Sequence, residues 1–164
     1  MSEPADPTLE LLASLSEAGV EFIVVGGAAA VLQGVPITTV DLDIVHRRSP
    51  ENIARLSALL QRLDATFRFD LANRRLAPRP DDLSGHGHLN LQTSYGELDV
   101  LCELAGARGY ETLLQHTDEV ILNGRPVRVL NLPMLIEVKA AAGRPKDRLA
   151  LPVLIATLEE RSKK

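Results

Sequence analysis

Residues 22–46, Phe-Ile-Val-Val-Gly-Gly-Ala-Ala-Ala-Val-Leu-Gln-Gly-Val-Pro-Ile-Thr-Thr-Val-Asp-Leu-Asp-Ile-Val-His, leave the chain few ways to fold. Phe22 to Val25 is β-branched and aromatic with no polar alternation, so it reads as a strand buried on both faces. Gly26 and Gly27 interrupt it, and Ala28 to Gln33 then has helix-forming composition. A Gly-Gly pair at a strand-to-helix turn leaves backbone N–H groups unpaired at a helix N-terminus, where they attract anions such as phosphate. Thirteen residues separate Gly27 from Asp41-Leu42-Asp43-Ile44-Val45, in which acids and apolar residues alternate. On a strand that alternation puts Asp41 and Asp43 on one side and Leu42 and Ile44 on the other, toward the core.

Two carboxylates held side by side repel unless a cation lies between them. Hard oxygen donors of this kind suit Mg²⁺ or Mn²⁺. The plainer alternative is a wet edge strand with a glycine turn before it, and a lone Asp-x-Asp favours that alternative. The combination with the apolar strand, the glycines and the small-residue helix argues for a metal site facing a phosphate seat.

The chain of 164 residues is long enough for one domain that buries roughly two-thirds of its unfolded surface. It is expected to be a single unit over 1–164, with 1–7 flexible and 131–164 a C-terminal helical part. A net charge of −4 argues against a dedicated nucleic-acid coat, and 3% aromatics without Trp removes the usual stacking platforms. The acidic N-terminus lacks an apolar targeting core and no window approaches a membrane span, so a cytoplasmic protein is expected. With one cysteine, Cys102, there is no internal disulfide; Cys102 reads as a small buried hydrophobe.

Further along, Thr8 to Ala18 carries leucines at helical spacing, and Ser49-Pro50 opens a helix whose apolar face is Ile53, Leu56, Leu59, Leu60 and Leu63. Ala65 to Leu71 suggests a short strand. Residues 73–87 lack periodicity and read as a long loop that is either solvated or in contact with substrate. His86 and His88 have no third ligand at zinc spacing, and His46 and His116 read as surface residues. Leu89–Thr93 and Gly96–Cys102 form two strands, the second placing Glu97, Asp99 and Leu101 on one side. Asp99 is an acid within an apolar strand, a position that is unexpected unless the charge is used. A short helix over 109–116, a hairpin with Asn123-Gly124 at its turn, and a helix from Asn131 to Ala142 follow. The last helix starts at Arg144-Pro-Lys-Asp-Arg148, with basic residues where the helix dipole disfavours them.

The Val25-Gly26-Gly27 … Asp41-Leu42-Asp43-Ile44 pattern resembles the signature of the nucleotidyltransferase superfamily whose best known members include polymerase β. Gly96-Glu-Leu-Asp-Val-Leu resembles the later strand that supplies that family's third carboxylate. Lys139-Ala-Ala-Ala-Gly-Arg-Pro-Lys-Asp147 resembles the tail of small nucleotidyltransferases related to AbiEii toxins of toxin–antitoxin systems. One departure is Ile37, where many relatives carry Arg. The resemblance implies an α/β (α+β) fold, a mixed β-sheet flanked by helices. It implies two Mg²⁺ (or Mn²⁺) ions on Asp41, Asp43 and Asp99, which are also the catalytic residues. It implies an NTP held by Gly26, Gly27, Thr39, and Lys139 or Lys146, with Arg144 beside them.

The function expected is metal-dependent transfer of an NMP from an NTP to an acceptor hydroxyl. The acceptor is left open between RNA or tRNA, a protein side chain and a small molecule, as are the base and the oligomeric state. A toxin–antitoxin setting follows from the resemblance. The other reading kept is a catalytically inactive nucleotidyltransferase-fold interaction protein or antitoxin-like partner. Walker A and Rossmann sites are excluded, since the chain has neither Gly-Lys-Ser/Thr nor Gly-x-Gly-x-x-Gly.

Overall fold

The computed structural model describes residues 6–39, 41–70 and 72–163. Their order is α1 (Pro7–Glu17), β1 (Phe22–Val25), α2 (Gly26–Leu32), β2 (Leu42–His46), α3 (Pro50–Arg62), β3 (Thr66–Phe67) and α4 (Pro80–Leu83). Then come β4 (His88–Thr93), β5 (Gly96–Leu101), α5 (Tyr110–Leu114), β6 (Thr117–Leu122), β7 (Arg125–Leu130), α6 (Leu132–Ala142) and α7 (Pro145–Ser162). Residues 1–5 of the stretch expected to be flexible lie outside the described residues. Asp6 caps α1 by accepting from Thr8 N at 2.9 Å, and Pro7 opens its first turn.

The strands form one mixed sheet in the order β3-β4-β5-β2-β1-β7-β6 among the described residues. β1 runs antiparallel to β2, while β2 with β5 and β1 with β7 are parallel. Leu42, Ile44, Leu98 and Val100 are at most 1% exposed and place one face of β2 and β5 in the core. The opposite face of the same strands is left to Asp43 and Asp99. A buried Asn52 ties the layers together. Its Oδ1 accepts from Glu21 N at 2.7 Å, and its Nδ2 donates to the carbonyls of Glu21 at 2.9 Å and Arg47 at 2.8 Å. The first turn of α3 is thereby fixed to the chain entering β1 and the chain leaving β2.

Several sequence expectations change in the fold. α2 takes in both glycines, so Gly26 and Gly27 form its first turn instead of a loop before it. β2 starts at Leu42, which leaves Asp41 just outside the ladder. Of the strand expected over Ala65–Leu71, β3 takes Thr66 and Phe67 and Arg68 N still donates to Asn90 O at 2.9 Å, while Leu71 lies outside the described residues. Within 73–87 the short helix α4 forms because Leu83 can be buried completely. That helix overturns the surface reading of His46, which is fully buried beneath it with Nε2 2.8 Å from Leu83 O. A carbonyl only accepts, so Nε2 carries the proton, and burial holds this imidazole below its ordinary pKa. The hairpin turn is as read, with Asn123 and Gly124 both at positive φ.

Candidate active site

Parallel pairing of β2 with β5 sets Asp43 opposite Asp99, and the antiparallel β4 continues the row with Asn90. Val25, the last residue of β1, pairs with Asp43 on the other side. Gly26 therefore turns directly over Asp43. It adopts φ +63°, and a Cβ there would lie 2.3 Å from Asp43 Oδ2. The position is closed to other residues both by backbone conformation and by the carboxylate beneath it. Gly27 is equally crowded, since a Cβ would come within 2.9 Å of Thr39 Oγ1. Thr39 donates to Asp41 O at 3.3 Å and so ties the loop before β2 under the start of α2.

The helix begins without a side-chain cap, leaving its first N–H groups for a ligand. Asp41, Asp43 and Asp99 each have an Oδ1 shut off from solvent and without a hydrogen-bond partner. Burial, and then the neighbouring Asp99 and Asp41 carboxylates, push Asp43 from 3.8 up to about 7, with Lys139 pulling the other way. Glu97, two residues before Asp99, is a fourth acid in the group. The Asp41 carboxylate beside it, ahead of a smaller burial effect, raises its pKa. Arg68 Nη1 lies 2.8 Å from Asp99 Oδ1 and forms an ion pair with it.

Two clefts meet at these carboxylates. One, of about 380 Å³, is lined by Gly26, Asp43, Lys139 and Arg144, with an apolar wall that includes Leu101, Leu104 and Leu135. The other, of about 930 Å³, is lined by Asp41, Glu97, Arg68, Phe69 and Arg75. The Asp-x-Asp pair thus straddles them, Asp43 in the first and Asp41 in the second.

At the junction of α6 and α7, Asp147 is fully buried. It accepts from Arg144 Nε at 2.6 Å, Arg144 N at 3.2 Å and Lys139 Nζ at 3.2 Å. Arg144 first, then Lys139, hold its carboxyl at about 2 against the effect of burial. This contact accounts for basic residues at the start of α7: the N3 carboxylate caps the helix and clamps both cations at the cleft wall. Lys146 is exposed and is not among the residues lining the cleft. Of the predicted residues, the structure puts Gly26, Asp43 and Lys139 on one cleft, Asp99 beside Asp43 on the neighbouring strand and Asp41 on the adjoining cleft, places Gly27 and Thr39 behind them, and leaves Lys146 outside.

Hard carboxylate oxygens, those of Asp41 and Asp43 without hydrogen-bond partners and that of Asp99 against Arg68, fit a divalent cation in chemistry. Among the described residues no three His, Cys, Asp or Glu side chains already stand at metal-holding positions. Mg²⁺ commonly takes only one or two protein carboxylates, with water and substrate phosphate completing its shell. Sequence reading missed Arg68 and Asp147 as members of this region. Arg68 was findable by carrying the period-two alternation from Thr66 one step past a weak strand, whereas nothing in the sequence showed Asp147 reaching back eight residues to Lys139.

No protein-family model and no curated protein matches the chain. Solved structures do. The lincosamide antibiotic adenylyltransferase LnuA, bound to lincomycin, superposes with TM-score 0.62 at 13% identity, covering 96% of this chain and 99% of that one. ANT(2'')-Ia in complex with adenylyl-2''-tobramycin gives TM-score 0.58 at 17% identity, over 92% and 88%. An antigenic nucleotidyltransferase-like protein from Paracoccidioides brasiliensis gives 0.57 at 17%, over 94% and 76%. The chain has the nucleotidyltransferase fold.

Proposed function

We propose that this protein is a nucleotidyltransferase that moves a nucleoside monophosphate from an NTP to an acceptor hydroxyl. The observation that carries the reading is the juxtaposition of Gly26 with the Asp43–Asp99 pair, in which Asp43 Oδ1 is buried without a hydrogen-bond partner. The triphosphate would lie in the cleft of Gly26 and Lys139, where unpaired N–H groups and a cation meet its charge. The acceptor hydroxyl would approach from the cleft of Asp41 and Glu97. Its oxygen forms a bond to the α-phosphorus, the bond to the bridging oxygen breaks, and pyrophosphate leaves. The hydroxyl proton passes to Asp99 or to water.

Two Mg²⁺ or Mn²⁺ ions held by Asp41, Asp43 and Asp99 would supply charge neutralisation at the attacking and leaving oxygens. Asp43 must be ionised to take part, so Lys139, which favours its charged form, positions as well as binds. Lincomycin and tobramycin, in the structures of the two antibiotic-modifying neighbours, favour a small hydroxylated acceptor over RNA or protein. The run from Lys139 to Asp147 supports the finer resemblance to AbiEii-type proteins and hence a toxin–antitoxin setting.

The test incubates the protein with each labelled NTP, Mg²⁺ or Mn²⁺, and in turn total RNA, cell protein and a panel of hydroxylated small molecules. Label transfer that Asp43→Asn abolishes is expected; no transfer under any combination overturns the reading. The alternative of an inactive interaction protein is favoured by one observation, the guanidinium of Arg68 against Asp99.

A further inference from the structure

Arg68 is held at the carboxylate cluster from several directions. Its Nη1 is 2.8 Å from Asp99 Oδ1 and its Nε is 3.9 Å from Glu97 Oε1. Nη1 also donates to Leu91 O at 2.8 Å, and its backbone N donates to Asn90 O, the residue paired with Asp99. The side chain is 12% exposed. A guanidinium stays charged at all working pH values, so the cluster carries a resident cation in place of an ion. Its contact with Asp99 is an ion pair, the kind of contact for which a second cation competes directly.

Arg68 also lies at the root of a self-closed loop. Phe67 N donates to Leu76 O at 3.0 Å, and Asp70 accepts from the N–H groups of Ala72 and Arg74. The ring of the next residue, Phe69, is 75% exposed and 5.1 Å from the Arg68 guanidinium. Arg68, Phe69 and Arg75 line the open cleft together with Asp41 and Glu97, so the guanidinium stands between Asp99 and the space through which an acceptor would enter.

We propose that Arg68 is the counter-ion Asp99 carries in the metal-free protein, and that a divalent ion reaches Asp99 by exchange with it, turning Arg68 off Asp99 and along the acceptor cleft that it lines with Glu97, Phe69 and Arg75. This rests on the metal-dependent reading above. The two ions then load unequally: Asp41 and Asp43 have no arginine to displace, and Asp99 does. Arg68 is a positioning residue that sets the order of loading.

The test is a Mn²⁺ titration, read by the electron paramagnetic resonance of unbound Mn²⁺, on the wild type and Arg68→Gln. Gln keeps a donor for the Leu91 carbonyl and removes the charge. Arg68→Gln is expected to bind Mn²⁺ about tenfold more tightly, since one positive charge close to the ion is gone. Equal or weaker binding overturns the exchange while leaving the metal-dependent reading intact. If neither protein binds Mn²⁺, both fall. Modification of the wild type by phenylglyoxal, followed by peptide mass spectrometry, needs no variant. Arg68 is expected to be protected without metal and reactive with Mg²⁺, and reactivity that Mg²⁺ does not change overturns the exchange.

Discussion

Asp43 concentrates the energetic tension of the molecule. Its pKa is about 7 in the fold against 3.8 ordinarily. The native state thus holds a proton that the unfolded chain gives up, and Asp43's contribution to stability is complete below about pH 4 and is lost as pH rises through about 7. In chelator, the melting temperature of the wild type should therefore gain from lowering pH from 7 toward 5, and Asp43→Asn should flatten that gain. Asp43→Asn should also melt higher than the wild type at pH 7 without metal. A slope that Asp43→Asn leaves unchanged would place the titration elsewhere. Gly26 is the second residue to probe. Alanine there must adopt φ +63° and push against Asp43, a combined penalty of about 1–3 kcal/mol, with loss of nucleotide binding beyond the loss of stability. Denaturant unfolding and nucleotide titration separate the two effects.

At the scale of elements, two polar contacts hold the site's walls. Asn52 makes three hydrogen bonds from the start of α3 to the backbone around β1 and β2. Asn52→Ala leaves those buried backbone groups unpaired and should cost about 1–3 kcal/mol in urea unfolding. A change under half of that range would mean water replaces the side chain. Asp147 does the same work between α6 and α7. Its carboxyl is at about 2 in the fold against 3.8 ordinarily, so its contribution is present above about pH 4 and is lost as pH falls toward 2. Acid unfolding of the wild type should show this loss and Asp147→Asn should lack it. At neutral pH, Asp147→Asn should also weaken nucleotide binding, because Lys139 and Arg144 lose the group that aims them at the cleft.

For the whole molecule, the expected signature of function is stabilisation by metal. An ion that binds only the native state at a hundredfold excess over Kd stabilises by about 2.7 kcal/mol. Each kcal/mol moves the melting temperature of a chain this size by about 2–4 °C. Millimolar Mg²⁺ or Mn²⁺ should thus raise the wild-type transition, and Asp43→Asn should lose the response. Equal shifts in both proteins would make the carboxylates an ordinary polar face. Among the described residues no helix is long and apolar enough to cross a membrane.

Most of this was legible in the chain because its determinants are local. The unbroken apolar run Phe22–Val25, the glycines after it and the alternation of Leu42, Asp43 and Ile44 fix a strand, a turn and a polar face through sterics and alternation, while Asp41 falls one residue before the strand begins. Asp99 was legible for the same reason, as an acid in an apolar strand. What the sequence lacked was register between distant elements. That Asp43 faces Asp99 and not Glu97 depends on how β2 pairs with β5, since a two-residue slip would exchange one acid for the other on the same face. That His46 is buried depended on α4 closing over it, a contact set by the volume available to Leu83. Arg68 against Asp99, and Asp147 between Lys139 and Arg144, are matches of charge between chain segments that meet only once the sheet and helices have packed. Local sterics were written in the sequence; the pairing of buried charges was decided by the tertiary structure, because burial alone makes an unpaired charge too costly to leave.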